Sequence, residues 1–292
     1  MNDPKVVVVI AAFNAGQFIG DCLNSLESQD YSNLDVYVVD NNSRDNTSNI
    51  VQEFKSVKLV RNKTNRGVCS ARNRVIRSTE SKYLLTLDSD MILDKGFIST
   101  IVRGAENSNS NVGMWGGTAV SMRDKESIDS LGIKLSRFYR FYDVGSGENI
   151  SDLERVWTRG ILGPCACAGL YLRKMLESIK IDFCSEFFDS KMHYLVEDFD
   201  VAMRARKKGW GFKYIKDATS YHYRHGSKIA PEEIRYLSFR NRYYLIIKHF
   251  SFRNLPYLIL SLFFYDLPRV FYLAALDYKM IKRSLSDLNA ML

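Results

Sequence analysis

Two carboxylates one residue apart, Asp88 and Asp90, follow the apolar, β-prone run Tyr83 to Leu87. Such a run reads as a buried parallel strand, and open α/β sheets present ligands beyond the carboxyl ends of their strands. Magnesium or manganese takes a few carboxylate oxygens together with phosphate oxygens, so Asp88-Ser89-Asp90 is a candidate metal site able to hold a diphosphate. Taken alone, an Asp-x-Asp is also what a solvated turn looks like. Upstream, Asn65-Arg66-Gly67 opens a helical pattern that carries Arg72-Asn73 shortly after. A helix amino terminus with arginines nearby suits phosphate, although Asn65 and Gly67 could equally shape a turn. Downstream, Glu197-Asp198 begins another helical pattern, where helix stabilisation by negative charge competes with a catalytic role. His222, in Tyr221-His222-Tyr223-Arg224-His225, is either a metal ligand or a polar residue at a loop start, with His225 as the alternative ligand. Neither a Walker loop nor a strand-linked GxGxxG occurs, which takes weight from kinase-like and dinucleotide-binding readings.

The elements that must position these groups alternate in the manner of βαβ units with a mainly parallel sheet. Strands are expected at Val6 to Ala12, Asp35 to Asp40, Val57 to Arg61 and Lys82 to Asp88. Helices are expected from near Ala15, after Ser43 as a cap, after Gly67, and from Asp94 to about Glu106. Val112 to Val120 reads as a strand, whereas Ser121 to Thr158 shows no periodicity. The Tyr139, Phe141, Tyr142 and Trp157 of that stretch either face an acceptor or pack a satellite core. A strand over Cys165 to Arg173 would set Cys165 and Cys167 on one face. A helix from Glu197 to Lys208 stopped by Gly209, a strand region from Gly211 to Tyr221, and a helical, aromatic tail after Pro231 complete the pattern.

Composition narrows the function classes. With 46% hydrophobic and 25% charged residues, the 292-residue chain is an ordinary globular one and neither disordered nor fibrous. Its net charge of +8 favours an anionic partner, but the basic residues are dispersed and carry no nucleic-acid recognition motif. Five cysteines without a CxxC pair suit a reducing compartment rather than a zinc site or a disulfide framework. Val6 to Phe13 reads as a buried strand rather than a signal-peptide core. The apolar segment Leu255 to Leu276 is interrupted by Asp266, Pro268 and Arg269, short of the roughly 18 uninterrupted apolar residues of a membrane span.

The ordered set Ala12-Phe13-Asn14, Val39-Asp40-Asn41-Asn42-Ser43 with Asp45 and Thr47, Asn65-Arg66-Gly67, Ala71-Arg72-Asn73 and Asp88-Ser89-Asp90 resembles glycosyltransferase family two, of the GT-A fold. Glu197-Asp198, His222 and Arg240-Asn241 resemble its rhamnosyltransferase-like branch. These motifs run from about residue 5 to 245, and several spaced motifs together are far more specific than any one. The resemblance implies an α/β GT-A domain over residues 1–230, with a Rossmann-like nucleotide-sugar half (1–120) and an acceptor half (121–230). Residues 231–292 would form a helical extension that meets a membrane interface or a second subunit.

The same resemblance implies a nucleotide diphosphate sugar as donor, with Asp40 recognising the base and Ala12 and Asn14 lining its pocket. Asn65, Gly67 and Arg72 would lie near the diphosphate and Asp88 near the ribose or the metal shell. Asp90 and His222 would hold manganese or magnesium. Glu197 would face the acceptor, a glycan or lipid-linked hydroxyl, where the aromatic stretch on its own reading also sets Trp157, and Asp198 would be the general base of an inverting single displacement. The place implied is the cytoplasmic face of a membrane, with peripheral attachment to anionic lipid. The Gln-x-x-Arg-Trp motif of processive members is absent, and Pro164-Cys165-Ala166-Cys167-Ala168-Gly169 departs from the usual small-residue run ahead of the acid pair. Rival readings are a sugar nucleotidyltransferase, whose glycine-rich amino-terminal loop is replaced by Ala12-Phe13-Asn14, and a non-catalytic binding module.

Overall fold

The computed structural model describes residues 3–136, 138–181, 185–224 and 229–291. Strand β1 (Val6–Ala12) is apolar throughout and buried on both faces, as a central parallel strand must be. It is followed by α1 (Ile19–Glu27), β2 (Leu34–Asp40), α2 (Thr47–Glu53), β3 (Val57–Arg61), α3 (Gly67–Ser78) and β4 (Tyr83–Asp88). The buried residues of α1, Ile19, Cys22, Leu23 and Leu26, recur at helical spacing and cover one face of the sheet. On the other face, Val68, Ala71, Val75 and Ile76 of α3 pack with Phe188, Val201 and Ala205.

Next come β5 (Met91–Leu93), α4 (Phe97–Glu106), β6 (Val112–Ser121), β7 (Ile128–Ser130), β8 (Ile133–Leu135), β9 (Phe141–Asp143), β10 (Ala168–Leu172), α5 (Arg173–Ser178), α6 (Glu197–Lys207) and β11 (Gly211–His222). The main sheet runs β3-β2-β1-β4-β10-β6-β11-β5, with β7 beside β6. The β3-β2-β1-β4 half is parallel, whereas β10 lies antiparallel between β4 and β6. This register carries Ala12, Asp40 and Asp88 to one edge of the sheet.

The expected strands and helices of the first half are present. Ser43 does not cap α2: its hydroxyl accepts the Asn14 N–H at 2.9 Å, and α2 begins at Thr47. Cys165 and Cys167 lie in the irregular segment before β10, so they do not share a strand face. Among the described cysteines, all are unpaired, while Cys184 lies outside the described residues.

The tail folds as α7 (Pro231–Lys248), α8 (Leu255–Ser261), a π turn at Leu262–Asp266 and α9 (Leu267–Met291), which kinks at Asp277. Arg242 of α7 clasps Asp266 at 2.9 Å, burying the polar residue that interrupts the apolar segment. Together Phe252–Met291 are long and apolar enough, by length and composition, to cross a membrane, and little of the apolar window is buried. Of the three interruptions in the sequence, the buried Arg242–Asp266 pair answers one, while Pro268 and Arg269 remain in the segment.

Candidate active site

Strand β4 delivers Asp88 at its end, the tight turn to β5 delivers Asp90, and the end of β11 delivers His222, because Met91 of β5 pairs with His222. One ligand atom from each of the three lies within 4.8 Å of the others, and His222 Nε2 stands 3.4 Å from Asp90 Oδ1. Two carboxylate oxygens and an imidazole nitrogen suit a divalent cation that keeps open positions for phosphate oxygens. Burial lifts the Asp88 carboxyl to about 6, with Asp90 adding to the rise and Arg72 opposing it. Burial pulls the His222 imidazole down, but its bonds to Asp129 and Asp90 outweigh this and hold it well above the usual range. A cation would take over the role of that proton.

The first cavity, about 340 Å³, opens over Asp88, Asp90 and His222 and is bounded by Ala12, Asn41, Asn65 and Gly67. Gly67 has φ +78, and a Cβ there would meet the His193 carbonyl and ring at 2.5–2.7 Å, so no other residue fits. Asn65 Oδ1 accepts the Gly67 N–H at 2.9 Å, which shapes the turn into α3. Asp40 is buried beside this cavity without lining it. Its carboxylate accepts the Ser43 N–H at 2.9 Å and the Ser48 hydroxyl. Asn14 braces the same loop through the Arg44 N–H at 2.9 Å.

The second cavity, also about 340 Å³, shares Asp88, His222 and Arg224 with the first and contains Glu197 and Asp198. Arg72 is 1% exposed and is a strut between the two. It bonds Glu197 Oε1 at 2.7 Å, Asp88 Oδ1 at 3.3 Å and the Ala166 carbonyl at 3.2 Å. Glu197 is thus turned toward Arg72. Asp198 accepts the Ala166 N–H at 3.4 Å and the Phe199 N–H at 2.9 Å. Burial pushes its carboxyl well above the carboxylate range, and the Glu197 and Asp143 charges add to the push.

The loop that carries this acid pair has positive φ at His193, Leu195 and Val196, of 65°, 70° and 58°. Asn241 of α7 holds it by donating to the carbonyls of Met192 (2.8 Å), Tyr194 (2.7 Å) and Leu195 (3.1 Å). Arg240 adds bonds to Lys191 and Met192. Asn73 plays a similar part on α3, accepting the Phe187 and Phe188 N–H groups. Asp200, two residues beyond Asp198, is wholly buried in an ion cluster with Arg204, Lys248 and His249.

Phe141 and Tyr142 line the second cavity, as an acceptor-facing pair would. Trp157 lines neither cavity; it is 64% exposed and stacks with Arg159. His225 lies outside the described residues. Sequence reasoning missed Asp129, whose Oδ2 meets His222 Nδ1 at 2.9 Å, and Arg224, which joins Asp129 to Asp143 at 3.2 Å. Asp129 sits in a three-residue strand inside the stretch without periodicity, too short to leave a signal in the sequence.

The fold is that of solved GT-A enzymes. Staphylococcus aureus TarS 1–349 in complex with UDP superposes with a TM-score of 0.60, 19% identity, and coverage of 97% of this chain and 80% of that one. A Pyrobaculum calidifontis mannosyltransferase, PcManGT, in complex with GDP-Man and Mn2+ gives 0.56, 16%, 98% and 85%. In sequence, glycosyltransferase GlyA of Streptococcus pneumoniae is 23% identical over 185 residues, 62% of this chain and 26% of that protein. An uncharacterized glycosyltransferase of Haemophilus influenzae is 31% identical over 112 residues, 37% of this chain and 35% of its own length. The matched stretch therefore spans about a quarter to a third of these curated relatives. Residues 7–180, more than half of the chain, match the family description, and with the GT-A architecture this makes the chain a member of glycosyl transferase family 2.

Proposed function

We propose that the chain transfers a sugar from a nucleotide diphosphate sugar to an acceptor hydroxyl with inversion, and that the two cavities divide the work. The observation that carries this reading is the shared wall: Asp88, His222 and Arg224 face both the candidate cation site and the cleft of Asp198. The nucleoside end of the donor is assigned to the wall at Ala12, with Asn14 and the buried Asp40 in the loop behind it, where each Asp40 oxygen keeps a second lone pair for a base N–H. The diphosphate lies over Asn65, Gly67 and the Asp88-Asp90-His222 cluster. A manganese or magnesium ion held by Asp90, His222 and Asp88 supplies positive charge against a diphosphate leaving group. Arg72 acts at one remove, holding Asp88 and Glu197 in place.

On the other side of the wall, Asp198 takes the proton from the acceptor hydroxyl as that oxygen bonds to the anomeric carbon. The bond from that carbon to the diphosphate breaks on the opposite face, and the nucleoside diphosphate leaves with the electron pair. Phe141 and Tyr142 would stack on the acceptor. Peripheral attachment to the cytoplasmic face of a membrane suits the exposed apolar tail, in which Phe252 and Phe264 are each 81% exposed, and a lipid-linked acceptor would then be near at hand.

Thermal protection tests the donor half. Sugar nucleotides of several bases, with and without manganese, should raise the melting temperature of the full chain only for the correct donor and only with the ion. Asp90→Ala should abolish that protection while the melting temperature without ligand holds. Undiminished protection in Asp90→Ala removes the metal assignment.

A further inference from the structure

We propose that the acceptor is a lipid phosphodiester, whose charged phosphoryl group lies on Arg269 in the cleft of Asp198 and whose hydrocarbon chain occupies an apolar cavity adjoining that cleft. Among the described residues, four arginines line the cleft: Arg72, Arg224, Arg242 and Arg269. Acids answer the first three, since Arg72 pairs with Asp88 and Glu197, Arg224 with Asp129 and Asp143, and Arg242 with Asp266. Arg269 has no acid partner among the described residues. Its half-buried guanidinium donates to the Ser238 hydroxyl at 3.0 Å and lies 5.9 Å from the ring centres of Phe239 and Tyr265. The rest of its fork of donors matches the oxygens of a phosphoryl group.

Tyr265 also faces a cavity of about 820 Å³, walled by the large apolar side chains of Phe138, Tyr142, Leu260 and Phe264. The cleft and the cavity meet along Tyr142, Asp143 and Tyr265. Of the charged residues in the cavity, Asp143 is answered by Arg224, and Arg140 is an exposed cation. The π turn at Leu262–Asp266 makes the join, because Phe264 lines the cavity while Tyr265 lines both spaces. Such turns are rare and recur at functional sites.

The order of these groups selects the ligand. An anion set between a hydroxyl-bearing head at Asp198 and a hydrocarbon chain must be bonded on both sides. A phosphodiester keeps its negative charge when joined twice, whereas a carboxylate joined as an ester loses it. Free phosphate leaves the cavity unfilled, and a neutral glycolipid leaves Arg269 unanswered. Because Leu260 and Phe264 belong to the exposed apolar tail, a chain can enter the cavity from the membrane surface on which that tail would lie.

This acceptor class rests on the reading of Asp198 as the base of a sugar transfer, and the test keeps the two apart. Calorimetry on the full chain uses three probes below their micelle concentrations: the decyl phosphodiester of glycerol, tail-free glycerophosphoglycerol, and neutral decyl glucoside. The decyl phosphodiester should bind about tenfold or more tighter than either of the others. Arg269→Gln should lose about tenfold for the phosphodiester and little for decyl glucoside, and Arg269→Lys, which keeps the charge, should recover part of the loss. Phe264→Ser should weaken both decyl probes, whereas Phe252→Ser, an equally exposed phenylalanine outside the cavity, should weaken neither. Equal losses from the two phenylalanine variants overturn the cavity, because the chain then coats the tail at large. Equal affinity for decyl glucoside and the phosphodiester overturns the phosphoryl site, and equal affinity for glycerophosphoglycerol overturns the lipid. These comparisons on the wild type and on Phe264→Ser decide the matter even if Arg269→Gln does not fold. Donor protection by a sugar nucleotide with no binding of any probe keeps the transferase reading and overturns this acceptor. Probe binding that depends on Arg269 and Phe264, without donor protection, supports the lipid site and overturns the transferase reading.

Discussion

Replacing Asn241 by alanine should loosen the acid-bearing loop while leaving the metal cluster intact. The loop holds three non-glycine residues at positive φ, Val196 in the left-handed helical region and His193 outside it at ψ −62°, and sparsely populated backbone of this kind costs of order 1–3 kcal/mol per residue. Val196 is β-branched and so belongs at the upper end. Against this strain stand the bonds of the wholly buried Asn241 amide to three loop carbonyls. Two N–H donors return about 2 kcal/mol net, and a carbonyl left bare inside the protein raises the loss toward about 4 kcal/mol. The clamp and the strain are therefore of similar size. Without the clamp the loop should open about a hundredfold more often, since each 1.4 kcal/mol is a factor of about ten. Two amides report that opening by hydrogen exchange: Val68 N–H, bonded to the His193 carbonyl at 2.8 Å, and Asp200 N–H, bonded to the Val196 carbonyl at 3.2 Å. Both should exchange about 10² faster in Asn241→Ala, sugar transfer should fall at least tenfold, and manganese affinity should hold. Exchange at these amides within about twofold of wild type would refute the clamp, and a uniform acceleration across the sheet would make Asn241 a general core residue instead.

Asp198→Asn should keep donor and manganese binding while transfer falls by about 10² or more, the usual worth of a positioned general base; transfer within about threefold of wild type ends that assignment. The same variant should melt higher at neutral pH. The folded carboxyl has a raised pKa, so the native state binds more protons than the unfolded state between the two values, stability falls as pH rises through them, and removing the charge restores it. The acid limb of kcat/KM should rise with pH through a value above the usual carboxylate range, because only the deprotonated base works; a limb at an ordinary carboxylate pKa would contradict the burial of Asp198. Asp129→Asn should weaken manganese binding about 10- to 100-fold by calorimetry, because Asp129 fixes which His222 nitrogen faces Asp90, and should also lower the melting temperature, because the buried carboxylate answers Arg224; a lower melting temperature with unchanged affinity would make it a structural acid only.

The first half of the fold was legible because its central strands β1 and β4 are buried on both faces and its helices carry a single apolar stripe, which leaves a plain period in the sequence. The positions of Asp88 and Asp90 follow from that period alone. His222 was found through the resemblance, since nothing in its neighbours marks it as the end of a strand beside β5. The middle stretch was illegible for a physical reason. Strands β7, β8 and β9 have three residues each and are linked by turns, too short for alternation to show, so Asp129 and Asp143 carried no signal. Helix α1 begins at Ile19 rather than near Ala15, because the Ala15 and Gly16 N–H groups are taken by Thr47 and Asp45 across the loop. Such long-range side-chain bonds leave no local pattern.

The distribution of cations in the cleft leaves one of its acids without an ion-pair partner among the described residues. Arg72 answers both Asp88 and Glu197, and Arg224 answers both Asp129 and Asp143. Asp198 stands between these pairs and, among the described residues, has no ion-pair partner, only two N–H groups. A buried ion pair such as Arg72–Glu197 is a weak source of stability, because desolvation cancels much of its attraction. Its consequence is positional: it fixes Glu197, and so the start of α6, against the strand end that carries Asp88. The negative charge of Glu197 is held by Arg72, yet it still lifts the proton affinity of its neighbour. Against burial, bonds to His222 and Arg224 hold Asp129 below the usual carboxylate range. Burial lifts Asp88 to about 6 in spite of Arg72 and lifts the unpaired Asp198 well above that range, and a raised proton affinity is what a base that must receive a hydroxyl proton requires.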